Sequence, residues 1–181
     1  GFMAELERTE LSLLVPLAQG HFVTQERMML DVQVFRGGRQ VSQDLALNDA
    51  VFSKGSMARV AELEVWADQT LIQRLMGDGL VVATPTGSTA YSMSAGGPIV
   101  EPSSQCLVVT PVCAHQLSAR ALVLEPGRRI TVQLPRGSRK HIYLSVDGGK
   151  PIRLTGSERV EITRSQHKTR LGQLAGRNYY Q

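Results

Sequence analysis

The stretch GDGLVVATPTGSTAYSMSAGGP, residues 77–98, concentrates groups that can hold a ligand. An apolar run, Leu80-Val81-Val82-Ala83, ends in Thr84-Pro85-Thr86-Gly87-Ser88-Thr89. Hydroxyls donate and accept, and glycine lets a ligand approach the backbone. A strand that ends at a helix start exposes backbone N–H groups and the positive end of the helix dipole, which suits a phosphate. Asp78 precedes the run, where a carboxylate accepts from a ribose hydroxyl or an amide. Tyr91 follows it, where a ring offers a flat face to a base. The same residues also make an ordinary turn, with Ser88 as helix N-cap and Tyr91 as core, and the residue types alone leave both readings open.

These groups need elements to position them. Leu80 to Ala83 does not alternate in polarity, as in a strand buried on both faces. Ser88 as N-cap predicts a short helix over residues 89–95, stopped by Gly96-Gly97-Pro98. Residues 4–19, with Leu6, Leu13, Leu14 and Leu17 near a helical period, predict one amphipathic helix, weakened by Pro16 near its end. After it the period becomes two. Met28, Leu30, Val32 and Val34 alternate with Met29, Asp31, Gln33 and Phe35, Gly37-Gly38 turns the chain, and RQVSQDLALNDAVFSKG returns. AELEVWA and TLIQRLM form a second hairpin about Asp68-Gln69, and CLVVTPV, RITVQLP, KHIYLSVD, PIRL and RVEITRS read as later strands. Many short strands with one embedded helix and one N-terminal helix predict a mainly β fold, a two-sheet β-sandwich, in a single domain over residues 1–181.

Composition excludes several classes. The 181 residues carry 42% hydrophobic and 20% charged residues and a net charge of +4, ordinary for a soluble globular domain. The basic residues are scattered without interleaved aromatics, so no nucleic-acid partner is expected. No apolar run reaches the ~18 residues of a membrane span, and no secretory leader is expected from GFMAELERTE. Cys106 and Cys113 lie in apolar stretches without ligand spacing, which predicts buried reduced thiols and a cytoplasmic location. His21, His141 and His167 are too far apart in sequence to suggest a metal site. The chain begins at Gly1 rather than Met, as a piece of a longer protein would.

The segment DGLVVATPTGSTAYSMSAGGPIVEPS, residues 78–103, resembles the signature of the NAD kinases, which phosphorylate the adenosine 2′-hydroxyl of NAD to give NADP. GFMAEL, ALNDAVFSKGSMARVAELEVWAD, VTPVCAHQLSARALVL, LSVDGGK and LAGRNYY resemble further blocks of that family in the same order. The resemblance implies a C-terminal β-sandwich domain that binds the dinucleotide. It maps NAD contacts onto Asn48, Asp49, Arg59, Asp78, Thr89, Ala90, Tyr91, Ser92, Met93 and Ser94. Asn48 and Asp49 would hold the adenosine ribose, and part of the hydroxyl run would act across the subunit interface of a homo-oligomer. NAD, NADP and ATP are the implied ligands, with Mg²⁺ or another divalent cation accompanying ATP.

Three departures matter. Asp49 stands where the family usually has Glu, which keeps the carboxylate and shortens its reach. Gly149 stands where Gln is expected. The Gly-Gly-Asp-Gly motif of the family's first domain, with its proposed base and phosphate-donor loop, is absent from these residues. Phosphoryl transfer needs a positioned base and a cradle for the triphosphate. No catalytic residue is therefore expected in this chain, and alone it is expected to be inactive. A non-catalytic module for NAD binding or oligomerisation is the alternative.

Overall fold

The computed structural model of the protein describes residues 11–12, 14–54, 60–116 and 118–173. Of the expected N-terminal helix it describes α1, Leu14–Ala18. The rest of that expectation, residues 4–10, lies outside the described residues, as do Arg59 and the LAGRNYY block from residue 174 onward.

Among the described residues, twelve strands follow α1: β1 (Val23–Arg36), β2 (Arg39–Ala46), β3 (Asp49–Lys54), β4 (Ala61–Ala67), β5 (Thr70–Gly77), β6 (Gly79–Ala83), β7 (Leu107–Val112), β8 (Leu122–Leu124), β9 (Ile130–Gln133), β10 (Ile142–Val146), β11 (Ile152–Leu154) and β12 (Glu158–Gln173). They form two six-stranded sheets, ordered β2-β1-β12-β9-β4-β5 and β11-β10-β3-β6-β7-β8. Each sheet gives one apolar face to a shared core, the arrangement of a β-sandwich. Leu30, Val32, Leu63, Val65, Ile130 and Ile162 come from the first sheet, and Phe52, Leu80, Val82, Leu107, Ile142 and Leu144 from the second. The period-two reading of β1 holds: Met28, Leu30, Val32 and Val34 are buried. The Gly37-Gly38 turn has φ of 55° and 79°, the left-handed pair that a two-residue hairpin requires.

Two features of the second sheet position the candidate site. RQVSQDLALNDAVFSKG is not one returning strand. It splits at Leu47-Asn48, so that β2 completes the first sheet while β3 enters the second beside β6. The other feature is the cover on β6. Leu80, Val81, Val82 and Ala83 are each 0% exposed. Leu80 and Val82 face the shared core. Val81 and Ala83 face a smaller cluster with Val108, Cys106 and Val112, covered by Ala95 and Val100 from the segment after β6. That second layer is why the strand lacks alternation.

The expected helix over residues 89–95 is corrected. A 3-10 turn spans Thr86–Thr89, Ala90 breaks it at φ −92° and ψ −131°, and α2 spans only Tyr91–Ser94. Ser88 caps nothing. It is fully buried, its hydroxyl donates to the Pro85 carbonyl at 2.7 Å and accepts the Val100 N–H at 2.9 Å, which ties the turn to the chain beyond α2. Cys106 is buried as expected, but Cys113 is exposed, because it follows the end of β7 with φ of 46° and leaves the sheet.

Candidate functional site

The corner between the two sheets is built from backbone. Leu47 and Asn48 carry the chain from β2 to the start of β3 at Asp49, between the two ladders, and their polar groups need other partners. Asp147, at the turn after β10, supplies the acceptors. Its carboxylate takes the N–H of Leu47 at 2.6 Å, of Asn48 at 2.8 Å and of Asp49 at 2.9 Å. Its own N–H donates to the Asp49 carbonyl at 3.0 Å. Thr84 supplies the donors: its hydroxyl to the Leu47 carbonyl at 2.6 Å and its N–H to the Asn48 carbonyl at 2.9 Å. Every backbone N–H and C=O of the three residues is thereby satisfied.

Above this corner lies an open cleft of about 360 Å³, lined by Asn48, Asp49, Val51, Ala90, Tyr91, Ser145, Asp147 and Gly148. Its volume lies in the range of small-ligand sites. Asp49 is 5% exposed, and burial, with the Asp147 carboxylate as a lesser cause, pushes its carboxyl up to about 6. Tyr91 is 45% exposed, with its ring free to stack rather than packed in the core. Asn48 offers an amide donor and acceptor beside the Asp49 acceptor, a set that matches vicinal hydroxyls.

The structure thus brings Asn48, Asp49, Ala90 and Tyr91 to one cleft. Thr89 is half-buried and its hydroxyl donates to the Thr86 carbonyl at 3.2 Å. Met93 and Ser94 are exposed on α2, outside the cleft lining. Ser92 faces away: it is fully buried and its hydroxyl pairs with Thr110 at 2.8 Å, clamping α2 onto β7. Asp78 stands at the other end of β3, paired with Lys54 at 2.6 Å. Five strand steps separate Lys54 from Asp49, about 17 Å. The phosphate reading of the helix start is corrected as well. The N–H groups of Gly87, Ser88 and Ala90 are taken by Thr84 Oγ1, the Pro85 carbonyl and the Gly87 carbonyl, and α2 has four residues.

Sequence reasoning missed Thr84 and Asp147 as parts of the site. Both carried only turn signals, and nothing local tells that their partners lie 37 and about 100 residues away. The Thr86 hydroxyl, one of the donors expected in the hydroxyl run, is buried without a hydrogen-bond partner among the described residues. Gly149, noted as a departure, has a local reason: a Cβ there would stand 2.9 Å from the Val146 carbonyl oxygen. A larger cleft, about 670 Å³, lies between β1, β12 and the 102–105 loop. No candidate residue lines it, and its Glu26 and Lys168 pair with each other, as do Arg164 and Gln105. Among the described residues, no group of three or more His, Cys, Asp or Glu could hold a metal ion.

Comparison with known proteins places this cleft in context. The family model for the ATP-NAD kinase C-terminal domain matches residues 47–174, which begins at the corner itself. The NAD kinase of Ruminiclostridium cellulolyticum is 37% identical over 99% of this chain and 63% of its own length. Those of Geobacter sulfurreducens and Symbiobacterium thermophilum are 40% and 42% identical, each matched over 64% of its length. The chain thus spans less than two thirds of these relatives. The crystal structure of yeast NADH kinase complexed with NADH superimposes with a TM-score of 0.85 at 25% identity, over 99% of this chain and 52% of that one. An NAD kinase from Archaeoglobus fulgidus in complex with ATP shares the fold, with a TM-score of 0.77 at 22% identity.

Proposed function

Because the chain belongs to the ATP-NAD kinase C-terminal domain family, we propose that it is the dinucleotide-binding part of an NAD kinase, an enzyme that phosphorylates the adenosine 2′-hydroxyl of NAD with ATP to give NADP. The observation that carries this reading is the convergence of Asn48, Asp49, Ala90 and Tyr91 on one cleft. In it, the Asn48 amide and the Asp49 carboxylate hold the ribose hydroxyls, and the Tyr91 ring stacks on a base. NADH bound to the yeast relative supports the same ligand class here.

The chain binds and orients; it does not transfer the phosphoryl group. Asp49 can accept a proton from a ribose hydroxyl, but in the turn beside it the N–H groups of Gly87, Ser88 and Ala90 are taken within the chain and are not offered to a triphosphate. The divalent cation that ATP chemistry implies finds no ligand set among the described residues, so no step is derived through it. The remaining transfer machinery belongs to a further domain of the whole enzyme. Asp78 lies too far from the cleft to serve it within one copy. The reading includes a homo-oligomer. The reading also includes a cytoplasmic enzyme. Among the described residues no helix is long and apolar enough to cross a membrane.

The test is turnover. The purified chain is incubated with NAD, ATP and Mg²⁺, and NADP is read by a coupled NADP-specific dehydrogenase. The expected result is no NADP from this chain alone and NADP from a chain that also carries an upstream Gly-Gly-Asp-Gly domain. Turnover by the isolated chain would overturn the division of labour.

A further inference from the structure

Asp147 and Asp49 are both carboxylates at the cleft, yet the structure gives them different work. Asp147 is on the surface of its turn, and two observations separate it from an ordinary surface aspartate. Its two oxygens accept three consecutive backbone N–H groups, those of Leu47, Asn48 and Asp49. Its own backbone is left-handed, with φ of 46°, followed by Gly148 at 70°. A non-glycine residue in that region costs about 1 kcal/mol and persists where its surroundings over-determine it. Glycine would make the same turn with less strain. Asparagine would keep only one acceptor oxygen and would turn an NH₂ donor toward an N–H donor of the corner. Only a carboxylate accepts all three bonds, and charge strengthens each of them.

Leu47 and Asn48 lie between the two ladders, where the chain leaves one sheet for the other, and Asp49 opens the second ladder opposite Ala83; the N–H groups of all three go to Asp147. Thr84 fixes the carbonyl side of the same residues through Leu47 and Asn48. Thr84 also accepts the Gly87 N–H at 3.0 Å, which couples the corner to the turn that carries Ala90 and Tyr91.

We propose that Asp147 is a positioning residue of the dinucleotide site, acting through the backbone of residues 47–49 to aim the Asn48 amide and the Asp49 carboxylate into the cleft. The proposal rests on the reading of the cleft given above. A preorganised site gains affinity by ordering fewer groups on binding, so releasing the corner lowers affinity although the binding side chains are intact.

The experiment uses the 181-residue chain and its Asp147→Asn variant. Two quantities are measured: NAD affinity by calorimetric titration, and hydrogen exchange of the Leu47, Asn48 and Asp49 amides by NMR. The expected result is faster exchange at these three amides, unchanged exchange in β6 and β7, and an NAD affinity about tenfold lower. Weaker affinity with all three amides still protected would mean that Asp147 meets the ligand itself, and would overturn the positioning role. Faster exchange with unchanged affinity would overturn it too. If Asp147→Asn fails to fold, Thr84→Ser, which keeps the hydroxyl and N–H, and Thr84→Val, which loses the hydroxyl, probe the same corner from the carbonyl side. Equal affinity of these two variants would then overturn the proposal. Absence of NAD binding by the parent chain sinks the dinucleotide reading instead, and is distinguished by amides that remain protected there and lose protection in the variant.

Discussion

Gly87 packs directly on the backbone of Asn48: a Cβ at position 87 would stand 2.0 Å from the Asn48 carbonyl oxygen and 2.4 Å from its carbon. The glycine is needed for this approach and not for its backbone angles. The contact joins the hydroxyl turn to the sheet-to-sheet corner, and so joins Tyr91 to Asn48 and Asp49.

Gly87→Ala is therefore expected to displace the corner rather than merely add a methyl. Overpacking of a closed contact costs about 1–3 kcal/mol. NAD affinity should fall at least tenfold, read by calorimetry, with a lowered melting temperature read by circular dichroism. An alanine variant with the parent's affinity would show that the turn and the corner are not mechanically joined.

Asp49 makes stability and binding depend on pH in opposite directions. Its folded value of about 6 lies above the ordinary 3.8, so the folded state holds the proton more tightly than the unfolded chain. Ionised Asp49 then costs stability above pH ~6, and the cost is relieved as pH falls through 6 toward 4, on the order of 3 kcal/mol in all. Asp49→Asn should raise the melting temperature at pH 7.5 and flatten its dependence between pH 7.5 and 5. The same change should weaken NAD binding, the usual conflict between a site's function and the stability of its fold. Melting curves of the two proteins that run parallel across that range would contradict the assignment.

The Ser92–Thr110 pair predicts a non-additive cycle. Ser92→Ala strands the buried Thr110 hydroxyl and should cost about 1–3 kcal/mol. Thr110→Val strands Ser92 and should cost a similar amount. The double variant removes both hydroxyls and should cost less than the sum of the two, measured by urea denaturation. Gly97 enforces the closeness, since a Cβ there would meet Ser92 Oγ at 2.4 Å and Thr110 Oγ1 at 2.6 Å. Additive costs would place the two hydroxyls in separate environments.

The sheets were legible in the sequence where local pattern and burial agree. Leu30, Val32 and Val34 alternate because one face of β1 meets the core, and Leu80 to Ala83 do not alternate because β6 is covered on both faces. The split at Leu47-Asn48 was not legible. No Gly or Pro marks it, and it is held by Thr84 and Asp147, far away in the chain. Ser88 misled for the same reason. Beside a short helix it carries the signal of an N-cap, but its partner Val100 lies beyond that helix and draws the hydroxyl inward. Of the site, Tyr91 stood out as a ring beside the hydroxyl turn and Asn48 and Asp49 came through the resemblance, while the groups that hold them in place came only from three-dimensional contacts.

Calorimetric titration of the chain with NAD, with ATP as control, tests the central claim most directly. The expected result is NAD binding that is lost in Asn48→Ala and in Tyr91→Ala, whose exposed ring can be removed without disturbing the core, and no binding of ATP. NAD binding that survives both substitutions would place the dinucleotide elsewhere and contradict it.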